Sequence, residues 1–340
     1  MNNLISIIIV NYNGKKWLQK CFDSLVDQTY KNFEVIFVDN NSVDDSIEFL
    51  EKNYSDKINL KIVKSDKNLG FAGGNNLGYE NSDGEYVILL NNDTCVEKKY
   101  LENFTKAFSE IPNLGCAQSK IILMNDKQKL DVVGSYWTSS SFLYHFGFYK
   151  NQEEERYNEV IPVFSNKGAS IILRREIIEK IGLFDNDFWC YYEETDLCNR
   201  LWSAGYECWY YPKAVCYHAN GGTSLTFGND FIQFHNFKNK LLSFLKNFEI
   251  ITLIKIIPVY LLINILLSIF WLFQGKFKHF MAIYRAIFWN IKNIKTTLEK
   301  RKIIKNLRTK KDKEIFLKTK KNPRLSYYLY LFINLKKYKD

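Results

Sequence analysis

The chain has 340 residues, 46% hydrophobic and 16% aromatic, which is enough apolar surface for one large or two ordinary domains and argues against a disordered chain. Its net charge of +10 averages two unlike parts, because 20 of the 47 Lys and Arg but only 4 of the 37 Asp and Glu lie beyond residue 275. A mildly acidic body joined to a strongly basic tail points to an anionic surface as partner, either a nucleic acid or a membrane leaflet.

The first hundred residues alternate between two periods. ISIIIVNY (5–12) is a continuous β-branched run bounded by Asn-Gly, which predicts a strand buried on both faces. KKWLQKCFDSLVDQ (15–28) places Trp17, Leu18, Cys21, Phe22 and Leu25 at helical spacing. FEVIFVDN (33–40) is a second buried strand, and DDSIEFLEKNY (44–54) a second helix opened by Asp and Ser. INLKIVKS, a short helix in GGNNLGYENS and EYVILLNND complete a β-α-β-α-β-α-β rhythm. That rhythm implies an α/β fold with a mostly parallel sheet and helices on both faces. From about 119 to 165 the pattern is poorly periodic and unassigned. Order returns with a strand and helix in NKGASIILRREIIEKIGLFD, then a helix in EETDLCNRLWSAG closed by Gly205. A strand from Cys208 to Tyr217 follows, ending at His218.

Ligands of such sheets bind at the carboxyl ends of the strands, and polar residues collect there. Strand one ends in Asn11-Tyr12-Asn13 and strand two in Asp39-Asn40-Asn41-Ser42. Strand three leads into NLGFAGGNNLG (68–78), which holds four of the chain's 16 glycines, and strand four ends in Asn91-Asn92-Asp93. No Gly-Lys-Ser/Thr follows the glycines, so this is not a P-loop. Trp189 to Tyr192 precede Glu193, Glu194 and Asp196 at a helix start, and a carboxylate in a partly apolar pocket is a suitable general base. The seven cysteines are odd in number and scattered without a CxxC pair, which favours reduced thiols in a cytosolic compartment. The N-terminus shows no basic segment or small-residue cleavage site, so no secretory leader is expected.

The blocks SIIIVNYNGKKWLQKCFDSLVDQTYKNFEVIFVDNNSVDDS, NLGFAGGNN, LLNNDT and GASIILRREIIEKIGLFD…YYEETDLCNR, in this order, resemble family 2 glycosyltransferases, and most of all their rhamnosyltransferase-like branch. The resemblance covers about residues 4–225. It implies a GT-A fold, inverting transfer from a nucleotide-diphosphate sugar and a divalent metal, Mg or Mn. A hard cation bridging the phosphates would neutralise the leaving group. By match to the family's Asp-x-Asp, Asn91-Asn92-Asp93 would lie at the metal, with Asp93 its one carboxylate ligand. His218 matches a histidine that binds metal in some relatives. By match to the family's Glu-Asp-x-Asp, Glu194 takes the base position, with Glu193 the alternative. Trp189, Tyr191, Asp196 and Arg200 are expected to order the acceptor. Asn11 and Asp39 match positions that hold the nucleotide, and a carboxylate accepting from an imide N–H would favour uracil or thymine. Asn13, Asn41 and Asn68 join this donor set, and Gly70, Gly73 and Gly74 would let backbone approach the diphosphate-sugar. Asn75 and Asn76 would offer it their amides.

ITLIKIIPVYLLINILLSIFWLF (251–273) carries one charge, Lys255, and is long enough to span a bilayer. A donor-using domain and a basic tail both belong on the cytoplasmic side, whereas one span would separate them. FMAIYRAIFW and LSYYLYLFINL are too short to bring the chain back across. The segment is therefore expected to lie in, or re-enter, the cytoplasmic leaflet with help from basic residues, the alternative being a helix buried on the domain. Lys238 and Lys240 are candidates to meet an acceptor's phosphates. Processive relatives carry Gln-x-x-Arg-Trp; QFHNF lacks both Arg and Trp, so a non-processive enzyme is expected.

These readings place a GT-A domain at 1–230, with a nucleotide-sugar half to about 118 and an acceptor half at 119–230. A helical, basic, membrane-associated region follows at 231–340. The expected function is transfer of a sugar, rhamnose among the candidates, from a dTDP- or UDP-donor to a lipid-linked or glycan acceptor. The expected location is the cytoplasmic face of the cell membrane. A sugar nucleotidyltransferase is one rival, but it has no use for the aromatic-carboxylate block at 189–196. A nucleic-acid-binding protein using the tail is another, but it leaves the polar strand ends unexplained, so no nucleic acid partner is expected.

Overall fold

The computed structural model describes residues 3–219, 228–328 and 338. The stretch after Ala219 and most of LSYYLYLFINL lie outside the described residues.

The first half follows the expected rhythm: β1 (Ile5–Asn11), α1 (Lys15–Val26), β2 (Phe33–Asp39), α2 (Ser46–Tyr54), β3 (Leu60–Lys64), α3 (Gly70–Glu80) and β4 (Tyr86–Leu90). These strands are parallel in the order β3-β2-β1-β4, with Asn11 level with Asp39 at the carboxyl edge. The continuous apolar runs reflect burial on both faces, since Ile5, Ile7, Ile8 and Ile9 are all fully buried.

Next come β5 (Thr94–Val96), α4 (Tyr100–Glu110), β6 (Leu114–Leu123), β7 (Asp126–Leu130), β8 (Gly134–Trp137), β9 (Leu143–Phe146) and β10 (Ile161–Pro162). The chain continues through β11 (Ser170–Arg174), α5 (Arg175–Ile181), α6 (Glu193–Ser203) and β12 (Glu207–His218). The sheet order is β10-β12-β6-β11-β4-β1-β2-β3, with β5 on β12 and β7 on β6. Here the mostly parallel expectation needs refining. β11 runs antiparallel to both β4 and β6, so the sheet is parallel in its first half and mixed in its second. The unassigned stretch holds the short antiparallel pairs β6–β7 and β8–β9.

Five helices follow: α7 (Asn229–Asn247), α8 (Ile250–Phe273), α9 (Phe277–Lys292), α10 (Ile294–Leu307) and α11 (Asp312–Thr319). α7, α8 and α11 share one hydrophobic cluster with the domain before them, because Leu241, Phe244, Ile256, Tyr260 and Ile315 belong with Leu173 of β11, Phe188 and Leu201 of α6. Lys300 ties α10 to Asp185 and Asp187 at 2.6 Å each.

Candidate functional site

The carboxyl edge of β1, β2 and β4 opens into a cavity of about 950 Å³. Register brings its first charged pair together. His218, the last residue of β12, stands opposite Thr94 of β5, and Asp93 immediately precedes that strand. His218 Nε2 thereby lies 3.2 Å from Asp93 Oδ1, with both side chains under 8% exposed. On the other side of the ring, His218 Nδ1 is 2.8 Å from Asp131 Oδ2. The Asn91 amide is 3.3 Å from Nε2. Burial alone would push the imidazole down, but the bonds to Asp131 and Asp93 outweigh it and lift it to about 9. Asp131 is itself held at about 2, because Lys167 and His218 overcome its burial.

The second charged group comes from α6. The segment before it is bent through three left-handed residues, Trp189, Tyr191 and Tyr192, with φ of 62°, 68° and 73°. Non-glycine residues adopt that region only when their surroundings hold them there. The holder is Asn239 of α7, whose amide reaches the carbonyls of Phe188, Cys190 and Tyr191. This turn sets Glu193 and Glu194 on the wall of the same cavity. Burial lifts Glu194 to about 7. Burial and the neighbouring Glu194 raise Glu193 well above the ordinary range, and its Oε2 is buried with no partner among the described residues. Glu194 is thus poised to exchange a proton near neutrality, and Glu193 is shifted in the same direction by its burial and its neighbour.

Asn68, Gly70, Asn91, Asn92, Trp189 and Tyr191 also line the cavity. Asp39 does not itself line the cavity, although the next residue, Asn40, does; its Oδ2 accepts from the Ser42 N–H at 3.2 Å, while Oδ1 is buried with no partner among the described residues. That oxygen is in want of a donor, which an imide N–H would supply.

Other expected site residues lie elsewhere. Asn11 is fully buried and saturated, donating to Ser42 and Ser46 and accepting from Asn92 at 2.7 Å. It locks strand ends together and has no hydrogen left for a ligand. Asn13 and Asn41 are exposed left-handed turn residues. Gly73, Gly74, Asn75 and Asn76 lie within α3, which begins at Gly70, three residues before the expected helix. A Cβ on Gly74 would stand 2.6 Å from Val10 Cγ1, so this glycine lets the helix lie against β1. One on Gly70, at φ +70°, would stand 2.6 Å from the Trp189 ring. Asn75 bonds its own helix, and Asn76 bonds Phe184 and Asn186. Asp196 and Arg200 do not line the cavity either. Asp196 is 1% exposed and holds Arg200, Lys246 and Asn247. Arg200 spends its guanidinium on the carbonyls of Ile181, Gly182 and Leu183.

Sequence reasoning missed Asn40, Asp131 and Lys167. Asn40 bonds Asn68, Leu69 and Gly70, fixing the start of α3. Asp131 sits in the stretch without periodicity, and Lys167 lies 3.6 Å from it.

Among the described residues, no group of three or more His, Cys, Asp or Glu side chains comes together as metal donors. The protein would supply two, Asp93 and His218. Their chemistry fits a divalent cation: the Asp131 carboxylate on Nδ1 is the usual support for a ligating histidine, and a cation at Nε2 would displace the proton that Nε2 otherwise shares with Asp93.

Comparison with known proteins bears on this arrangement. Glycosyltransferase GlyA of Streptococcus pneumoniae is 27% identical over 168 residues, 49% of this chain and 22% of its own length. Cholesterol galactosyltransferase of Borreliella burgdorferi is 33% identical over 128 residues, 37% of this chain and 36% of its own. The chain thus spans well under half the length of these curated relatives. The structure of GalNAc-T7 with UDP, GalNAc and Mn2+ superposes with a TM-score of 0.57 at 16% identity, over 71% of this chain and 47% of that one. S. aureus TarS 1–349 gives 0.52 at 16% identity, over 72% and 66%. These likenesses show the GT-A fold. The model described as "Glycosyl transferase family 2" matches residues 6–182, just over half the chain and the span that builds the parallel edge and Asp93, and the chain therefore belongs to glycosyltransferase family 2.

Proposed function

We infer that the chain is an inverting, non-processive glycosyltransferase. It would move a sugar, rhamnose among the candidates, from a dTDP- or UDP-donor to a lipid-linked or glycan acceptor. The observation that carries this reading is the meeting of the Asp93–His218 pair and Glu194 on one cavity, although Asp93 lies more than a hundred residues before the other two in sequence. The unpartnered Asp39 Oδ1 supports a uracil or thymine base, and GalNAc-T7 and TarS were both solved with UDP.

In the reaction, the acceptor oxygen bonds to the anomeric carbon from the face opposite the diphosphate. The bond from that carbon to the diphosphate oxygen breaks, and the nucleoside diphosphate leaves with the electron pair. Glu194 takes the proton of the attacking hydroxyl. Asp93 and His218 would hold a divalent cation, Mg or Mn, which when bound neutralises the charge developing on the diphosphate. Trp189 and Tyr191 offer flat faces to a sugar. Residues 1–230 would form the catalytic unit and 231–340 the part that meets the cytoplasmic leaflet.

The test is hydrolysis and transfer from a panel of nucleotide sugars with Mn2+, using wild type and Glu194→Gln. Loss of the base is expected to lower kcat by about 10²–10⁴-fold while the donor's Kd changes little. Weakened donor binding with normal turnover would remove Glu194 from this role.

A further inference from the structure

The cavity has two unlike parts. One is the polar strand edge with Asp93, His218 and Glu194. The other is aromatic and apolar, built from Phe142, Phe148, Phe237, Tyr260, Ile263 and Tyr328. Lys240 of α7 belongs to this second part. Its ammonium lies 4.0 Å from the centre of the Phe142 ring and 5.8 Å from that of Tyr260. No carboxylate or hydrogen-bond acceptor among the described residues takes it. Its neighbours are treated differently, since Lys167 faces Asp131 and Lys246 faces Asp185 and Asp196. Ring faces attract a cation but do not replace a counter-ion, and burial alone pulls the Lys240 amine down to about 7. An arriving anion would restore its charge.

Tyr260 and Ile263 tie this part of the cavity to the membrane question, because both come from α8. Beyond the exposed Lys255 near its start, the outward face of that helix is hydrocarbon: Leu262 is 59% exposed and Leu266 58%. A ligand with its anionic group at Lys240 can rest a hydrocarbon chain on Phe142, Tyr260 and Ile263 and leave beside α8.

We propose that Lys240 anchors the anionic group of an amphiphilic acceptor, a long-chain phosphate or diphosphate ester, placing the acceptor's sugar or phosphate end toward Glu194. This rests on the glycosyl-transfer reading of the same cavity and narrows its acceptor class. An uncharged glycan would bring the Lys240 amine no counter-charge.

The probes are decyl phosphate below its micelle threshold, decyl maltoside as the uncharged amphiphile, and inorganic phosphate as the free anion. Binding to the full chain is followed by calorimetry, with thermal melts as the folding control. Decyl phosphate is expected to bind more tightly than either of the others. Lys240→Met should weaken it by at least about tenfold, the loss of one charge-assisted contact, and Lys240→Arg should restore most of the affinity. Unchanged binding in Lys240→Met overturns the proposal. Inorganic phosphate matching decyl phosphate would reveal a free-anion site, and decyl maltoside matching it would reveal a site blind to charge; either overturns it. Should Lys240→Met not fold, the three-probe comparison on wild type decides alone. UDP binding with Mn2+ is measured in parallel. Wild type that takes decyl phosphate but not UDP would break the donor reading and leave the Lys240 site standing.

Discussion

Glu194 occupies the first turn of α6, where the helix dipole favours a carboxylate, yet burial lifts it from 4.5 to about 7. A base acts only when ionised, so the sign of the pH dependence follows directly. Below about 7 the folded enzyme holds the proton and kcat/KM should fall about tenfold per pH unit. Above about 7 it should level off. The same shift costs stability in the opposite sense, since the folded state gives up stability as pH climbs from 4.5 toward 7. Rates measured from pH 5 to 9 at saturating Mn2+ test this, and an acid limb near 4.5 would place the base elsewhere. The acidic cluster proposed to hold the base was legible in sequence because aromatics and three acidic residues crowd one helix start. The histidine's support was not. Asp131 is 87 residues from His218 and reaches it only because β7 pairs with β6 and β6 with β12.

At the scale of elements, the glycine-rich stretch shows where pattern reading stops. Glycine permits close approach, but sequence does not say to what. In NLGFAGGNNLG the partner of Gly74 and Gly78 is the sheet, through Val10 and Ile8. Helix propensity alone would have Gly74→Ala stabilise α3 by about 1 kcal/mol. The added methyl would stand 2.6 Å and 3.1 Å from the two Val10 methyls, and a β-branched side chain turns away with difficulty. Overpacking of this kind costs about 1–3 kcal/mol, so the expected net is a loss of up to about 2 kcal/mol in urea unfolding. A gain would show that α3 has room to spare. The four parallel strands were legible because burial on both faces leaves unbroken apolar runs. The β6–β10 stretch was not, because short antiparallel strands there end and turn before a period can repeat.

For the whole molecule, composition separates the tail from the catalytic body, but the structure folds it back. Ion pairs such as Lys300 with Asp185 join residues 115 positions apart and leave no local trace in sequence. α9 and α10 both pack against α7, so the chain on each side of α8 returns to the same body. α8 is the one helix among the described residues long and apolar enough to cross a bilayer, and only 17% of its most apolar stretch is buried. Its buried stripe is Ile256, Tyr260, Asn264 and Ser268. The opposite face, Leu262, Leu266, Ile269 and Phe273, is 41–85% exposed, and α9 extends it with Phe277, Met281, Phe288 and Ile291. An apolar surface this continuous, bordered by the exposed Lys276, Lys278, Arg285 and Lys292, suits a helix lying in an anionic leaflet. Deleting everything after Phe248 would be a poor test, because Ile256, Tyr260 and Ile315 belong to the core. The triple substitution Leu262→Glu, Leu266→Glu and Ile269→Glu changes only exposed positions and should leave the melting temperature near wild type. Wild type is expected to sediment with vesicles of phosphatidylglycerol and phosphatidylcholine, and to stay partly bound in high salt because apolar insertion is not screened. The triple variant should remain in the supernatant. A variant that still sediments would mean that the membrane is met elsewhere, and wild type that never sediments would assign the α8 face to some other partner.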